Sequence, residues 1–427
     1  MTSPAPAPEP SAALAEPSSS SWSPWRTVVA FGLVSLAADM VYEGMRSVAG
    51  PLLGVLGASA LAVGLITGAG EAIALVLRLA TGPWADRSHR HWRLTVVGYA
   101  MTAVCVPLLA LTPALGAAGM AVAAALILLE RTGKAVRSPS KSALLARVAV
   151  PTGRGRGFAV HKALDQVGAF AGPLLLTGAT AVTGVLWPGL ALLAIPGALS
   201  LLLLSQLRRK VPSIVEPEGD EAPAPAPARL GRGREWSVLG ADLPAAFHLF
   251  AFAVALTTAG LMTFGVISFH FVAAGLVPLA AAPLVYALAM AVEAVAALAT
   301  GGLFDRHGGR VLLVVPFVVA GVPPLVFAPQ LAAVLAGVVL WGIATGIQDS
   351  TVKAYVADLV PAGRRATAYG VFAAVQGIGA LAGGGIAGAL ATRHPGLLTV
   401  VVAGLQVASF LILLRTLGRH REASPRA

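Results

Sequence analysis

Apolar runs long enough to cross a bilayer core, roughly 20 residues for about 30 Å of hydrocarbon, recur along the whole chain and leave little else to fold. They lie near 27–56, 60–82, 94–112, 118–140, 158–181, 187–207, 245–272, 280–302, 311–328, 331–356, 367–391 and 396–416. Hydrophobic residues make up 57% of the 427 and charged residues 11%, with a mean hydropathy of +0.81. That is too little polar side chain to cover a water-soluble globule. The expectation is an all-α, polytopic membrane protein of twelve transmembrane helices.

The net charge of +11 raises the question of nucleic acid, and the placement of the basic residues answers it. Arg87, Arg90 and Arg93 fall between the second and third runs, and Arg147, Arg154 and Arg156 between the fourth and fifth. The middle loop holds Arg208, Arg209, Lys210, Arg229, Arg232 and Arg234, while Arg306, Arg310, Arg364, Arg365, Arg419, Arg421 and Arg426 occupy later connections of the same parity and the tail. The alternate connections hold only Arg393. Basic residues accumulate on the cytoplasmic side of a membrane protein, so the excess reports topology: both termini and the middle loop cytoplasmic, in the inner membrane, with no nucleic-acid partner expected.

The opening stretch, residues 1–25, is rich in Pro, Ala and Ser and lacks a basic segment followed by an apolar one, so it reads as a disordered lead and not a signal peptide. Residues 208–244, with an Ala-Pro run and clustered charge, read as a tether. The expected organisation is a six-helix bundle over 26–207, this cytoplasmic linker, a second six-helix bundle over 245–416 and a tail over 417–427. One cysteine, Cys105, excludes an internal disulfide and a soft-metal cluster.

The two halves echo each other. "ATGPWADR" at 80–87 answers "ATGGLFDR" at 299–306, "VPTGR" at 150–154 answers "VPAGR" at 360–364, and Gly168 and Gly172 answer Gly379 and Gly383. Matching signatures at matching topological positions point to an internal duplication. The loop "GGLFDRHGGR" at 301–310 resembles the G-x-L-x-D-R-x-G-R-R signature of the major facilitator superfamily, and "GPWADRSHRH" is similar, departing at Trp84 and His89. "GAFAGP" at 168–173 resembles the G-x-x-x-G-P portion of the signature of proton-coupled exporters in that superfamily, with Leu176 and Thr177 in place of its trailing glycines. The resemblance spans about residues 26–416 and implies two six-helix bundles, alternating access and a preference for export. It also implies a gating role for Asp86-Arg87 and Asp305-Arg306, where a carboxylate at a helix end can hold a neighbouring base or helix terminus in one state and release it in another. Read from the residues alone, these are equally topology charges.

Inside the first run, "DMVYEGMR" places Asp39, Glu43 and Arg46 four and three residues apart, on one helix face. Three charges at mid-membrane cost about 9 kcal/mol on insertion scales, against about 5 kcal/mol recovered from the surrounding Val, Leu and Phe, so that face must meet partners or a wet cavity. Candidate partners are Glu71 and Arg78 in the second run, Glu130 and Arg131 with Lys134 and Arg137 in the fourth, and His161, Lys162 and Asp165 in the fifth. The later half offers Glu293, then Asp349 and Lys353 at i, i+4. Two carboxylates one turn apart in a low dielectric do not readily ionise together, which suits a proton-exchanging site. The competing reading is that the charges are static pairs locking helices together, easiest for Lys134, Arg137, Lys162 and Asp165 near span ends where long side chains snorkel.

Other motifs carry less. His89, His91 and His307 have no ligand spacing, His161 and His270 are isolated, and no metal site is expected. "GRGRG" at 153–157 is not a phosphate loop, and "GIGALAGGGIAG" at 377–388 fits close helix packing. No nucleophile, base and orienter grouping appears, so an enzyme is not expected. The leading expectation is proton-coupled efflux of a small amphiphilic or cationic organic compound by a monomeric carrier, driven by the proton gradient with no cofactor. An organic-anion carrier is the alternative, favoured by Arg46, Arg78, Arg131, Lys134 and Arg137. A non-transporting receptor or scaffold is a third, which leaves the buried acids without a purpose.

Overall fold

The Ser23 hydroxyl accepts the amide of Arg26 at 3.3 Å and so satisfies one orphan donor at the start of the first helix. That helix, α1, runs Pro24–Val55, 32 residues, and the computed structural model describes residues 22–88, 90–211, 240–361 and 364–423 of the chain. Most of the expected lead and linker, His89 and Arg426 lie outside the described residues. After α1 come α2 (Ala60–Val76), α3 (Arg78–Ser88), α4 (His91–Leu108), α5 (Gly119–Val148), α6 (Arg154–Thr183), α7 (Trp187–Leu192) and α8 (Ala194–Lys210). The later half holds α9 (Ala245–Gly260), α10 (Phe264–Ala273), α11 (Ala282–His307), α12 (Val315–Val326), α13 (Leu331–Ile347), α14 (Lys353–Leu359), α15 (Arg365–Leu390) and α16 (Pro395–Ala423). Among the described residues there is no strand.

Nine helical stretches among the described residues are long and apolar enough to cross a membrane. Two of these, His91–Val148 with 58 residues and Leu279–Val326 with 48, exceed the length of one crossing. The first contains a 3-10 segment, Leu109–Ala118, in which Gly116 takes φ 53°, a left-handed value open to glycine, and reverses the chain into α5. The second contains the 3-10 segment Gly308–Val314. α6 carries Arg154, Arg156, Lys162 and Asp165 along its first half and is not among the nine. One expected span is interrupted at Leu261–Thr263 between α9 and α10, and another carries a π-helical turn, Gln348–Val352, between α13 and α14; at Leu77, between α2 and α3, the backbone keeps helical angles and the span runs on.

Glycines set the helix registers. A Cβ on Gly168 or Gly172 of α6 would strike the carbonyls of Leu36 and Met40 on α1, so these two helices run parallel in close contact. A Cβ on Gly64 of α2 would strike the Gly384 carbonyl of α15, and one on Gly377 would meet Ala72 and Val76 of α2, so α2 and α15 run antiparallel. Gly50 and Gly54 at the end of α1 pack on Gly265 and Phe269 of α10. The two halves are thereby sealed at the helix ends distant from Pro24, the far side.

The cores of the halves differ. The later half has one continuous apolar cluster, from Leu243 to Leu413. The first half has two: a far cluster around Val41, Leu52, Val106 and Leu190, and a near cluster around Phe31, Trp92, Leu144 and Leu204. Between them lie the buried polar groups Thr102, Glu130, Arg131 and Arg137. The membrane charges expected from the sequence are what divide that core.

Candidate proton and substrate site

A cavity of about 200 Å³ lies between the halves, reached from α1, α5 and α6 on one wall and from α11 and the π turn on the other. Asp39, Glu43 and Arg46 all face it, as their spacing on α1 requires, and Tyr42 between them completes that wall. α5 contributes Lys134, Arg137 and Lys141, α6 contributes Lys162 and Asp165, and the later half contributes Glu293, Asp349 and Met290. Five acids and five bases face one space, with little apolar lining.

Most of these charges are held. Arg46 Nη2 meets Glu71 Oε1 at 3.0 Å, and Arg46 Nη1 lies 3.7 Å from Glu43 Oε2. Tyr286 of α11 joins them from the opposite half, donating to Glu43 Oε2 at 2.5 Å and accepting from Arg46 Nη1 at 3.3 Å. Arg131 reaches Glu71 at 3.8 Å and Glu130 at 3.6 Å, and donates to the Tyr42 hydroxyl. Glu130, with no exposed side-chain area, accepts from Thr102 at 3.0 Å and lies 3.9 Å from Arg137, which also donates to Thr102. Such a buried group requires this enclosure, since an uncompensated charge there is strongly unfavourable.

A second network lies nearer the start of α1. The Ser35 hydroxyl meets Tyr99 and His161 Nε2, each at 2.9 Å, and accepts from Lys141 at 3.1 Å. Asp165 Oδ2 lies 3.8 Å from Lys141 and 3.6 Å from His161 Nδ1. His161 is therefore a partner of α1 and α5 chemistry, not an isolated ring.

Four charges facing the cavity stand apart. Among the described residues, Asp39, Glu293, Lys134 and Lys162 form no ion pair within 4.0 Å. Lys134 instead sits 3.7 Å above the Tyr42 ring, a cation–π contact. Asp349 is salt-bridged to Lys353 at 3.0 Å and is exposed, and it lies second in the π turn, a distortion frequent at functional sites.

Arg78, the first residue of α3, makes no ion pair within 4.0 Å among the described residues, although it lies within electrostatic reach of Asp349, Tyr42 and Glu71. Asp86, Arg87, Asp305 and Arg306 are exposed and, among the described residues, make no ion pair. Sequence reasoning passed over Tyr42 and Tyr286, whose hydroxyls look like ordinary aromatic content of an apolar run. Lys141 was also missed, one residue past the expected end of its span. Among the described residues no group of His, Cys, Asp and Glu has the geometry to hold a metal ion.

The family model described as "Major Facilitator Superfamily" matches residues 29–384 and 277–427. An uncharacterized protein of Mycobacterium tuberculosis is 48% identical over 395 residues, 92% of this chain and 93% of that one. The tetracycline resistance protein, class C, of Escherichia coli is 32% identical over 126 residues, 28% of this chain and 32% of that one. A crystal structure of a mutant of the nucleoside transporter NupG aligns with a TM-score of 0.72 at 14% identity, over 91% of this chain and 99% of that one, a likeness of fold.

Proposed function

Because this chain belongs to the major facilitator superfamily and is a multi-pass membrane transporter, we propose that it is a proton-coupled exporter of a small, polar, charged organic compound, working by alternating access. The observation that carries the reading is Asp39: a carboxyl facing the cavity between the halves without a counter-ion among the described residues, while Glu43, Glu71, Glu130 and Asp165 are each held by a base. A group that exchanges its proton for substrate must be reachable and uncommitted, and a carboxylate locked in a salt bridge is neither. Glu293, on the opposite wall, is the second such acid and favours a cationic group on the substrate. The scarcity of apolar lining argues against a greasy amphiphile. The likeness of a quarter of the chain to a tetracycline resistance protein supports the outward direction.

The one-sided basic loops support a cytoplasmic-membrane location with both termini inside. On that topology the far-side seal faces outward, and a cavity shut there would load from the cytoplasm. Purified protein in proteoliposomes, with an imposed pH gradient and proton movement followed by an entrapped dye, tests the function. Substrate-dependent proton flux that vanishes in Asp39→Asn is expected. Undiminished gradient-driven accumulation in that variant would overturn Asp39 as the coupling group.

A further inference from the structure

Once the held pairs are set aside, the cavity has two anions and two cations left over. Asp39 and Glu293 carry the negative charge, Lys134 and Lys162 the positive, and none of the four approaches an opposite charge within 4.0 Å among the described residues. The cations come from the first half, on α5 and α6. Glu293 comes from the later half, on α11.

A singly charged cation entering this space gains from Glu293 but meets the unpaired Lys134 and Lys162. A singly charged anion meets the reverse. In a confined site of reduced dielectric, like charges brought together cost as much as opposite charges gain. A molecule that carries both signs answers both walls at once.

We propose that the substrate is a zwitterion, its anionic group directed to Lys134 above the Tyr42 ring and its cationic group to Glu293 on the facing wall. This rests on the carrier reading above and leaves Asp39 free for the proton. It also supplies a reason for the division of charge: a molecule bound to Lys134 on one half and Glu293 on the other ties the halves together, so an occupied cavity favours their closing around it. Tyr42 fits the same role. Its hydroxyl is taken by Arg131 and its face by Lys134, which fixes the ammonium at the cavity wall without neutralising it.

The test uses the full-length protein in detergent and three sets of probes: alanine, phenylalanine and aminohexanoic acid, each beside its amide, which keeps only the cation, and its N-acetyl form, which keeps only the anion. Thermal stabilisation is read as a half-saturation concentration. At least one zwitterion should bind at least about tenfold more tightly than both of its capped forms, a margin expected of one well-placed charge contact. Lys134→Gln should erase its advantage over the amide, and Glu293→Gln its advantage over the N-acetyl form. Lys134→Arg, which keeps the charge, should retain most of it and so separates lost charge from lost fold. Binding of an amide as tight as that of its parent, or no stabilisation by any probe, overturns the proposal. Proton flux in proteoliposomes is a separate readout: zwitterion binding without proton movement removes the proton coupling and leaves the zwitterion, whereas proton movement driven only by singly charged cations does the opposite.

Discussion

The Tyr286 hydroxyl donates to Glu43 Oε2 at 2.5 Å across the boundary between the two halves. It also accepts from Arg46, which holds Glu71, so one phenol from α11 closes a polar chain running from α1 to α2. With the Thr67–Thr263 hydroxyl contact at 2.7 Å and the packing of Gly50 and Gly54 on α10, it forms the polar part of the far-side seal.

Tyr286→Phe removes that donor and little else. A hydrogen bond to a charged group contributes about 1.5–3 kcal/mol, roughly tenfold or more in population. Spin-label distances between Val55 and Ala274 should gain a longer component in the variant. A distribution identical to that of the parent shows that the apolar contacts alone hold the seal.

Asp39→Asn should leave thermal stability within the scatter of neutral substitutions, about 0.5 kcal/mol, because Asp39 has no ion pair to lose among the described residues. Gradient-driven flux should fall to background while exchange of labelled for unlabelled substrate continues. A large fall in melting temperature, with both activities lost together, assigns Asp39 a structural role instead.

Glu130→Ala should behave in the opposite way. The carboxylate is fully buried against Arg131, Arg137 and Thr102, and breaking such a cluster costs about 3–5 kcal/mol. Poor recovery of folded protein is expected, and the same substitution combined with Arg137→Met should recover part of it. Unchanged stability of the single variant would mean that water fills the gap.

Asp86→Asn concerns the repeated loop pairs. Asp86, Arg87, Asp305 and Arg306 are exposed and form no ion pair among the described residues. A latch not engaged here can favour only the other state, so its loss should enrich the arrangement described here. Spin labels on the α3 and α11 ends report it, and a shift toward the other state removes these pairs as a latch.

The α1 stripe was legible because helical spacing is a local property: Asp39, Glu43 and Arg46 share a face wherever the helix packs. What the stripe meets was not. Tyr286 is 243 residues from Glu43 in sequence, and nothing in its neighbourhood distinguishes it from a core aromatic. Arg78 was placed with Glu71 on helical spacing, yet among the described residues the Glu71 carboxylate pairs with Arg46 and Arg131 instead. Lys141 was lost to a boundary, since hydropathy ends a span where the charges begin although the helix continues to Val148. The close-packing role read into the glycines of 377–388 is visible in the structure, because small-residue spacing encodes close approach without knowledge of the partner.

That glycine seam bears on how the cavity changes hands. α15 touches α2 at Gly64 with Gly384 and midway at Ala72 with Gly377, and touches α3 at Leu79 with Gly370, so this edge of the molecule is shut along its length. A joint closed from end to end cannot part on one side only; it can roll. The seam is thus placed to act as a fulcrum, with α1 against α10 and α6 against α11 as the edges that swing. A side chain as small as valine at Gly384 would then act as a wedge at the pivot, where the least displacement blocks the greatest travel.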